Sequence, residues 1–262
     1  MERGGVRVLW IQAIVLGVAG VALFALPTEA ARAWPWVLPP LAARFVGGAL
    51  LGIGAAAATT AIRHIPRGLP ALAVMGLGTL LAPLAGILTS GVEVSTPRLA
   101  AMTALVGALA LVDVGLVRAS HAGDVWGPLS RPFAAFFAIH LALVLPVGLA
   151  MYVAPTAVVD LWPWQLSIVN VRLVGAIFLA SAPLSAMALR DRDWAAVYPT
   201  AIAYAVFATL ALVATALHFG LFDAGRLRTW VFVGLYALAA IGSAMAVVRS
   251  SRARAGARSP GA

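Results

Sequence analysis

Two segments of the chain decide its fold: residues 34–48, WPWVLPPLAARFVGG, and residues 162–176, WPWQLSIVNVRLVGA. They align without a gap when Trp34 is placed on Trp162, and nine of the positions from 27 to 47 are identical to their counterparts from 155 to 175. Runs of alanine and leucine match by chance in an apolar chain, but tryptophan, proline and arginine in a fixed register do not. The match predicts an internal duplication of one structural unit.

The composition places both copies in a lipid bilayer. Of the 262 residues, 63% are hydrophobic and 10% are charged, whereas a soluble domain carries about 25% charged residues. There are no cysteines and no lysines, so all 18 basic residues are arginine. This composition excludes disulfides, thiolate metal sites, cysteine nucleophiles and Schiff-base lysines.

Eight apolar stretches are each close to the length of about 20 residues that crosses the hydrocarbon layer as a helix. They cover residues 8–26, 37–62, 69–89, 99–117, 133–153, 165–189, 195–218 and 229–248. The third stretch contains Pro83, and neighbouring helices can satisfy the carbonyl that this proline frees. The sequence therefore predicts an all-α polytopic membrane protein of about eight transmembrane helices, arranged as two parallel four-helix repeats.

The predicted units are a first repeat at 1–118, a cytoplasmic linker at 119–132, a second repeat at 133–248 and a disordered basic tail at 249–262. Each arginine of the tail adds about 1 kcal/mol of attraction to an anionic leaflet. The other arginines, except Arg44 and Arg172, lie singly or in pairs at the ends of apolar stretches. The net charge of +9 therefore indicates the bilayer and its anionic lipids as partners, and no nucleic acid.

The arginines also predict the orientation of the chain. The N-terminus, the even-numbered loops and the C-terminus together carry twelve arginines, and the odd-numbered loops carry four. Loops rich in basic residues stay in the cytoplasm. Both termini are therefore expected to be cytoplasmic, with the protein in the cell (inner) membrane.

The repeated segment resembles a group of uncharacterised bacterial polytopic membrane proteins. These carry a similar duplicated Trp-Pro-Trp, followed by leucine and by an Arg-x-x-Gly sequence. The resemblance covers about fifteen residues in each half, and the second copy lacks the Pro39–Pro40 pair of the first. It implies a polytopic architecture and no particular activity.

The four tryptophans of the repeated segments, Trp34, Trp36, Trp162 and Trp164, are predicted to lie at the outer interface. Tryptophan is enriched at this depth because its ring is apolar and its N–H prefers water. One interpretation is that they anchor the protein at the interface. The other is that they form a rigid outer gate, built once in each half.

Arg44 and Arg172 lie about seven residues inside their helices, roughly 10 Å below the outer interface. An arginine at this depth can extend to the headgroups, which is one interpretation of the pair. The other is that both face the bundle interior and converge on one anion or on acceptors such as Asn170, as a substrate-binding site. The cost of an intramembrane charge, repeated in both copies, favours a protein partner.

Asp113 and His140 are expected at similar depths below the cytoplasmic interface, about 8–10 Å inside their helices. They are either an unrelated polar pair or a pair that shares a proton, because imidazole titrates near neutrality. The spacing of Gly48 and Gly52 in the second predicted helix further indicates close packing against the sixth.

No catalytic residue, metal site or cofactor motif is predicted, because the sequence contains no known catalytic constellation. Three functions remain open. The first is a small-solute transporter or channel, of unknown solute, with its site between the repeats. The second is a non-catalytic membrane scaffold or accessory subunit, and the third is a membrane enzyme.

Overall fold

The computed structural model describes residues 3–120 and 123–257, and eight helices in these ranges are long and apolar enough to cross a membrane. They are α1 (Arg3–Ala25), α2 (Pro40–Arg63), α3 (Pro66–Ile87), α4 (Thr96–Ala119), α5 (Arg131–Val153), α6 (Ile168–Asp191), α7 (Trp194–Leu217) and α8 (Leu227–Ala257). The predicted all-α polytopic membrane fold is confirmed.

Proline determines several features of these helices. Pro40 occupies the first position of α2, where its missing N–H costs no hydrogen bond. Helix α3 is interrupted at Leu80, between the α-helical segments Leu69–Thr79 and Leu81–Ile87. The interruption follows from Pro83, because a proline ring clashes with the carbonyl four residues earlier in a regular helix.

Four consecutive elements of the first half recur in the second half, in the register of the sequence match. The bounds of α1 and α2 correspond to those of α5 and α6, and the short helix Pro27–Ala30 corresponds to Pro155–Val158, with a 3₁₀ turn after each. Helices α2 and α6 both end at a residue in the left-handed conformation, His64 (φ 50°) and Arg192 (φ 47°). Two different sequences thus form the same succession of helices and turns.

The two halves are interlocked. Helix α1 packs against α2, and α5 packs against α6, while α2 also packs against α7 and α6 against α3. The second helix of each half therefore contacts the third helix of the other half. Helices α4 and α5 lie at the periphery, where α4 packs mainly against α3 and α5 mainly against α6, and 11% of each apolar span is buried.

The helix ends form two distinct faces of the bundle. We call one the tryptophan end; it comprises residues 26–39, 88–95, 154–167 and 218–226. The opposite face, the linker end, comprises the connections 64–65 and 192–193 together with residues 120 and 123–130.

A pair of glycines brings the first and second helices of each half into backbone contact. A Cβ atom added at Gly47 would lie 2.7 Å from the carbonyl oxygen of Gly20 and 2.8 Å from the backbone nitrogen of Phe24. In the second half, a Cβ at Gly175 would lie 3.0 Å from the carbonyl oxygen of Gly148. Both crossings therefore require glycine.

The predicted close contact of α2 with α6 through Gly48 and Gly52 is wrong. A Cβ at Gly52 would lie 2.7 Å from the carbonyl oxygen of Ala203 in α7, and Gly48 also faces α7. Small residues indicate that a backbone approaches closely, but they do not identify which helix approaches.

The linker is packed at the linker end through Trp126, whose backbone N–H donates to Asp193 Oδ1 at 3.0 Å. Arg254 of α8 lies over the Trp126 ring, 5.2 Å from its centroid, and donates to the carbonyl oxygen of Arg63 at 2.8 Å. Residues 249–257, predicted to be disordered, instead continue helix α8. The contacts of Arg254 stabilise this helical extension. Residues 258–262 of the predicted tail and His121 of the predicted linker lie outside the described residues.

We expect Gly47→Ala to destabilise the protein by about 1–3 kcal/mol, because the added methyl group collides with backbone atoms that cannot rotate away. The measurement is thermal unfolding in detergent. Gly17→Ala in α1 is the matched control, since no atom lies within 4 Å of its added Cβ and alanine has the better helix propensity. Equal melting temperatures for the two variants would contradict the glycine crossing.

Candidate functional site

Arg44 connects two helix ends at the tryptophan end. Its Nη1 donates to the carbonyl oxygen of Phe24, in the last turn of α1, at 2.6 Å. Its Nε donates to Nε2 of His218, directly after α7, at 3.0 Å. Arg44 thus links the first helix of its own half to the third helix of the other half.

Arg172 makes the equivalent connection in the second half. Its Nε donates to the carbonyl oxygen of Tyr152, in the last turn of α5, at 3.1 Å. Its Nη1 donates to the carbonyl oxygen of Leu88 at 2.6 Å and to the hydroxyl of Thr89 at 2.7 Å, both at the end of α3. Tyr152 aligns with Phe24 in the same register that aligns the two arginines.

We call the contacts of Arg44 and of Arg172 with two helix ends the arginine clamps. The electrostatics of these helix ends stabilise the clamps. The last carbonyl groups of a helix have no partner within the helix and carry a partial negative charge. The sequence places Arg44 and Arg172 near the N-termini of their own helices, yet both side chains reach the C-termini of neighbouring helices. Each guanidinium group therefore binds protein acceptors, and the two arginines make these contacts separately.

His218 acts as a hydrogen-bond acceptor for Arg44 in this arrangement. Burial, together with the positive charge of Arg44, holds the pKa of His218 below its usual value. A neutral imidazole can accept at Nε2 when its proton is on Nδ1. His218 therefore has a structural role as the partner of Arg44, which its position at the end of a predicted helix did not indicate.

Asn170, predicted to bind a substrate with the two arginines, connects the two repeated segments instead. Its Oδ1 accepts from Trp36 Nε1 at 3.2 Å, and its Nδ2 donates to the carbonyl oxygen of Val37 at 3.3 Å and to Ser167 Oγ at 2.8 Å. Asn170 is 1% exposed. Its amide is thus committed to protein contacts that hold α6 against the first segment.

Anchoring by contact with headgroups does not fit the second tryptophan of each segment, because its side chain is buried in the bundle. Trp36 and Trp164 are 4% and 6% exposed, and Trp164 packs among aromatic rings that include Phe45 and Phe232. These side chains are buried because the segment turns back onto the bundle before the second helix begins.

Trp34 and Trp162 are half-buried and stand edge-on to the second tryptophan of their segment, with centroids 5.5 and 5.2 Å apart. Their Nε1 atoms are buried and have no hydrogen-bond partner in the described part of the chain. Interfacial anchoring remains a prediction for these two.

The predicted proton-sharing pair of Asp113 and His140 is wrong, because the two side chains have different partners. Asp113 accepts from Gln12 Nε2 at 2.9 Å, between α4 and α1. His140 Nδ1 lies 2.9 Å from Ser185 Oγ, between α5 and α6. Hydropathy gave their depth in the membrane, but not the direction in which each side chain points around its helix.

His140 belongs to a polar cluster in the centre of the second half. Ser185 Oγ also lies 3.3 Å from the hydroxyl of Tyr204, which donates to the carbonyl oxygen of Ser181 at 2.5 Å. The rings of His140 and Tyr204 are 4.7 Å apart. Tyr204 and Ser185 were not among the predicted site residues, since a single hydroxyl in an apolar helix gives no specific signal.

Two cavities with almost wholly apolar linings lie in the described part of the bundle. Cavity 1, of about 610 Å³, lies among α1, α2, α3, α4, α6 and α7, and its polar lining residues are Thr79, Arg98, Ser181 and Tyr204. Helices α1 and α4 make little contact, and Leu105 in its wall is 51% exposed. The cavity therefore opens sideways between these two helices.

Cavity 2, of about 870 Å³, lies among α5, α6, α7 and α8 and opens in the same way between α5 and α8. It shares Ser181, Tyr204 and Phe207 with cavity 1, and His140 faces it. Neither Arg44 nor Arg172 lines either cavity.

The mouths of the cavities are alike at the tryptophan end. Cavity 1 is bounded there by Trp34, Pro35 and Arg98. Cavity 2 is bounded by Trp162, Pro163 and Arg228, the last of which donates to the carbonyl oxygen of Asp160. Each cavity thus combines an apolar interior with a Trp-Pro pair and an arginine at one end.

Within residues 3–120 and 123–257, no three histidine, aspartate or glutamate side chains converge in a group that could hold a metal ion. The comparisons with known proteins give no family: no family model, curated protein or solved structure matches the chain.

We expect Arg172→Ala to lower the free energy of unfolding by at least about 2 kcal/mol, because hydrogen bonds to a charged donor contribute about 1.5–3 kcal/mol each. Arg172→Lys should recover part of this loss, since one ammonium group cannot span acceptors on two helices. The measurement is chemical or thermal unfolding in lipid nanodiscs.

Arg226→Ala is the control, because Arg226 is exposed and pairs only across one turn with Asp223. An Arg172→Ala variant as stable as this control would show that the clamp contributes nothing.

Proposed function

We propose that this integral membrane protein binds a lipid-like amphiphile in the two lateral cavities. The observation that carries the proposal is the pairing of an apolar cavity with an arginine at its mouth, once in each half. A cavity open to the hydrocarbon layer is filled by apolar chains, and the arginine offers a site for a polar headgroup. The sequence predicted a small solute of unknown class as the ligand, and we propose an amphiphile as that class.

The headgroup is proposed to be anionic. In Arg228, Nη1 binds the Asp160 carbonyl oxygen, while the buried Nε has no hydrogen-bond partner within the described residues. The planar guanidinium group matches a phosphate or carboxylate, to which it can donate two parallel hydrogen bonds. Arg98 is exposed at the equivalent mouth of cavity 1. An anionic headgroup would satisfy both arginines.

The tail of the ligand is proposed to lie inside the cavity. Volumes of about 610 and 870 Å³ fall in the range of about 300–1,000 Å³ that is typical of ligand sites. The lining is almost wholly aliphatic and aromatic, so it suits a hydrocarbon chain and not a hydrated ion.

Passage of a polar solute past Arg44 and Arg172 has less support. Their hydrogen bonds go to carbonyl groups, a hydroxyl and an imidazole of the protein, and neither arginine lines a cavity. The second candidate function is a membrane scaffold, which is favoured by α4 and α5. These helices leave most of their apolar surface outside the bundle, where lipid or a partner helix could cover it.

We further propose that the two halves arose by duplication and lie parallel, on the basis of the ungapped sequence match and of the four helices in each half. The common element bounds and the equivalent clamps at Arg44 and Arg172 support this proposal. We also propose that both termini are cytoplasmic in the inner membrane, on the basis of the twelve-to-four distribution of arginines.

The orientation has a direct test. Cytoplasmic and periplasmic reporters fused after residue 262 and inserted at residue 93 should report opposite sides, with the residue-262 fusion in the cytoplasm. A periplasmic signal at residue 262 would overturn the orientation without affecting the cavities.

For the ligand, we expect the detergent-solubilised protein to bind phosphatidylglycerol, an anionic lipid, more tightly than zwitterionic phosphatidylcholine, with up to two tight sites by native mass spectrometry. Ala101→Phe in cavity 1 and Ala135→Phe in cavity 2 should each remove one site, because the added ring occupies the cavity. Arg98→Gln and Arg228→Gln should reduce the preference for phosphatidylglycerol and retain binding of the chain.

The controls are Ala104→Phe and Ala138→Phe, which alter exposed positions of the same helices outside the cavity linings. If the cavity variants bind lipid as these controls do, the amphiphile proposal fails and the scaffold becomes the better supported function.

A further inference from the structure

Asp113 is buried in the span of α4 at a three-helix contact. It is 1% exposed, and its Oδ2 accepts from Nε2 of Gln12, which is 2% exposed in α1. On the third side is Gly76 of α3, where an added Cβ would lie 2.6 Å from Asp113 Oδ2. A glycine at this position makes room for the carboxyl group.

The surroundings of Asp113 offer no compensation for a negative charge. The ion pairs found among the described residues do not include it. In α1 the nearest basic residue is Arg7, five positions before Gln12, and in α4 it is Arg118, five positions after Asp113. Both arginines are exposed, and five positions correspond to about 7.5 Å along a helix axis. In α3 the basic residue is Arg67, at the linker end, where it pairs with Asp193.

Two oxygen atoms of this pair are unsatisfied. Gln12 Oε1 and Asp113 Oδ1 are both buried and have no hydrogen-bond partner within residues 3–120 and 123–257. Both atoms are acceptors if Asp113 is ionised, and each would then remain unpaired in an apolar interior. Burying an isolated carboxylate is so costly that the group takes up a proton instead.

A single proton on Asp113 can satisfy both atoms. A carboxylic acid and a primary amide form a cyclic pair, in which the amide N–H donates to one carboxyl oxygen and the acid O–H donates to the amide oxygen. The structure already contains the first of these hydrogen bonds. We propose that Asp113 and Gln12 form a proton-binding site in the membrane interior, in which neutral Asp113 donates from Oδ1 to Gln12 Oε1.

Loss of this proton changes the contact between α1 and α4. The proton leaves Oδ1, the carboxylate stays on Asp113, and Gln12 Oε1 then faces an acceptor. The repulsion favours separation of the two helices, or entry of water between them. The second half has no equivalent acid–amide pair, because His140 stands at the position of Gln12 and binds Ser185. The site therefore belongs to the first half only, and it does not depend on the nature of the ligand in the cavities.

Infrared spectroscopy tests the proposal on the full chain, purified in nanodiscs near pH 7 with ¹³C-carboxyl aspartate. The wild type should show the C=O stretch of one protonated aspartic acid, and Asp113→Asn should lose this band. Asp193→Asn is the matched control. Asp193 is also buried, but Arg67 and backbone N–H groups surround it, so this variant should lose a carboxylate band instead.

Gln12→Leu provides a second measurement if Asp113→Asn fails to fold. It removes the acceptor of the acid proton, so the C=O band of Asp113 should move to higher frequency. Asp113→Asn itself should melt close to the wild type, because its amide reproduces both hydrogen bonds. The absence of a protonated-acid band from the wild type near pH 7, or its persistence in Asp113→Asn, would overturn the proposal.

Discussion

The arginine clamps are the interaction on which the rest of the bundle depends. A helix that ends inside or near hydrocarbon leaves carbonyl groups without partners, and water is too scarce there to satisfy them. Arg44 and Arg172 supply donors to these carbonyls from the neighbouring helix. Because each arginine binds a helix end from both halves, neither half contains its own complete set of partners. The eight helices therefore form one structural unit.

The glycines and arginines that are repeated in both halves have structural roles, and these roles account for their repetition without a catalytic or ligand-binding function. Gly47 and Gly175 allow the second helix of each half to cross the first in backbone contact. Three residues earlier, Arg44 and Arg172 lie about one turn along the same helices, which brings their guanidinium groups to the ends of α1 and α5. Each clamp needs a close crossing of the first and second helices of its half, and it needs a side chain as long as arginine to reach the helix end. The spacing Arg-x-x-Gly is thus a packing requirement.

Much of the fold could be predicted from the sequence, and most of the site could not. Length and hydropathy gave eight helices, since a span must be apolar over its whole length. They do not specify the direction of a side chain around the helix axis. Asp113 and His140 were therefore placed at similar depths but paired wrongly, and Gly52 was assigned to the wrong neighbour. Partners such as Gln12 depend on long-range packing that one sequence does not encode locally.

The differences between the halves are more informative about function than their common features. The side chains that recur in both halves make the same structural contact in each half, as Arg44 and Arg172 do in the clamps. Gln12 and His140 occupy equivalent positions in α1 and α5, yet one binds a carboxyl group and the other a serine. Packing alone does not require a buried acid on one side and an imidazole facing a cavity on the other. The two halves therefore share a scaffold and differ in the polar contacts made at equivalent positions.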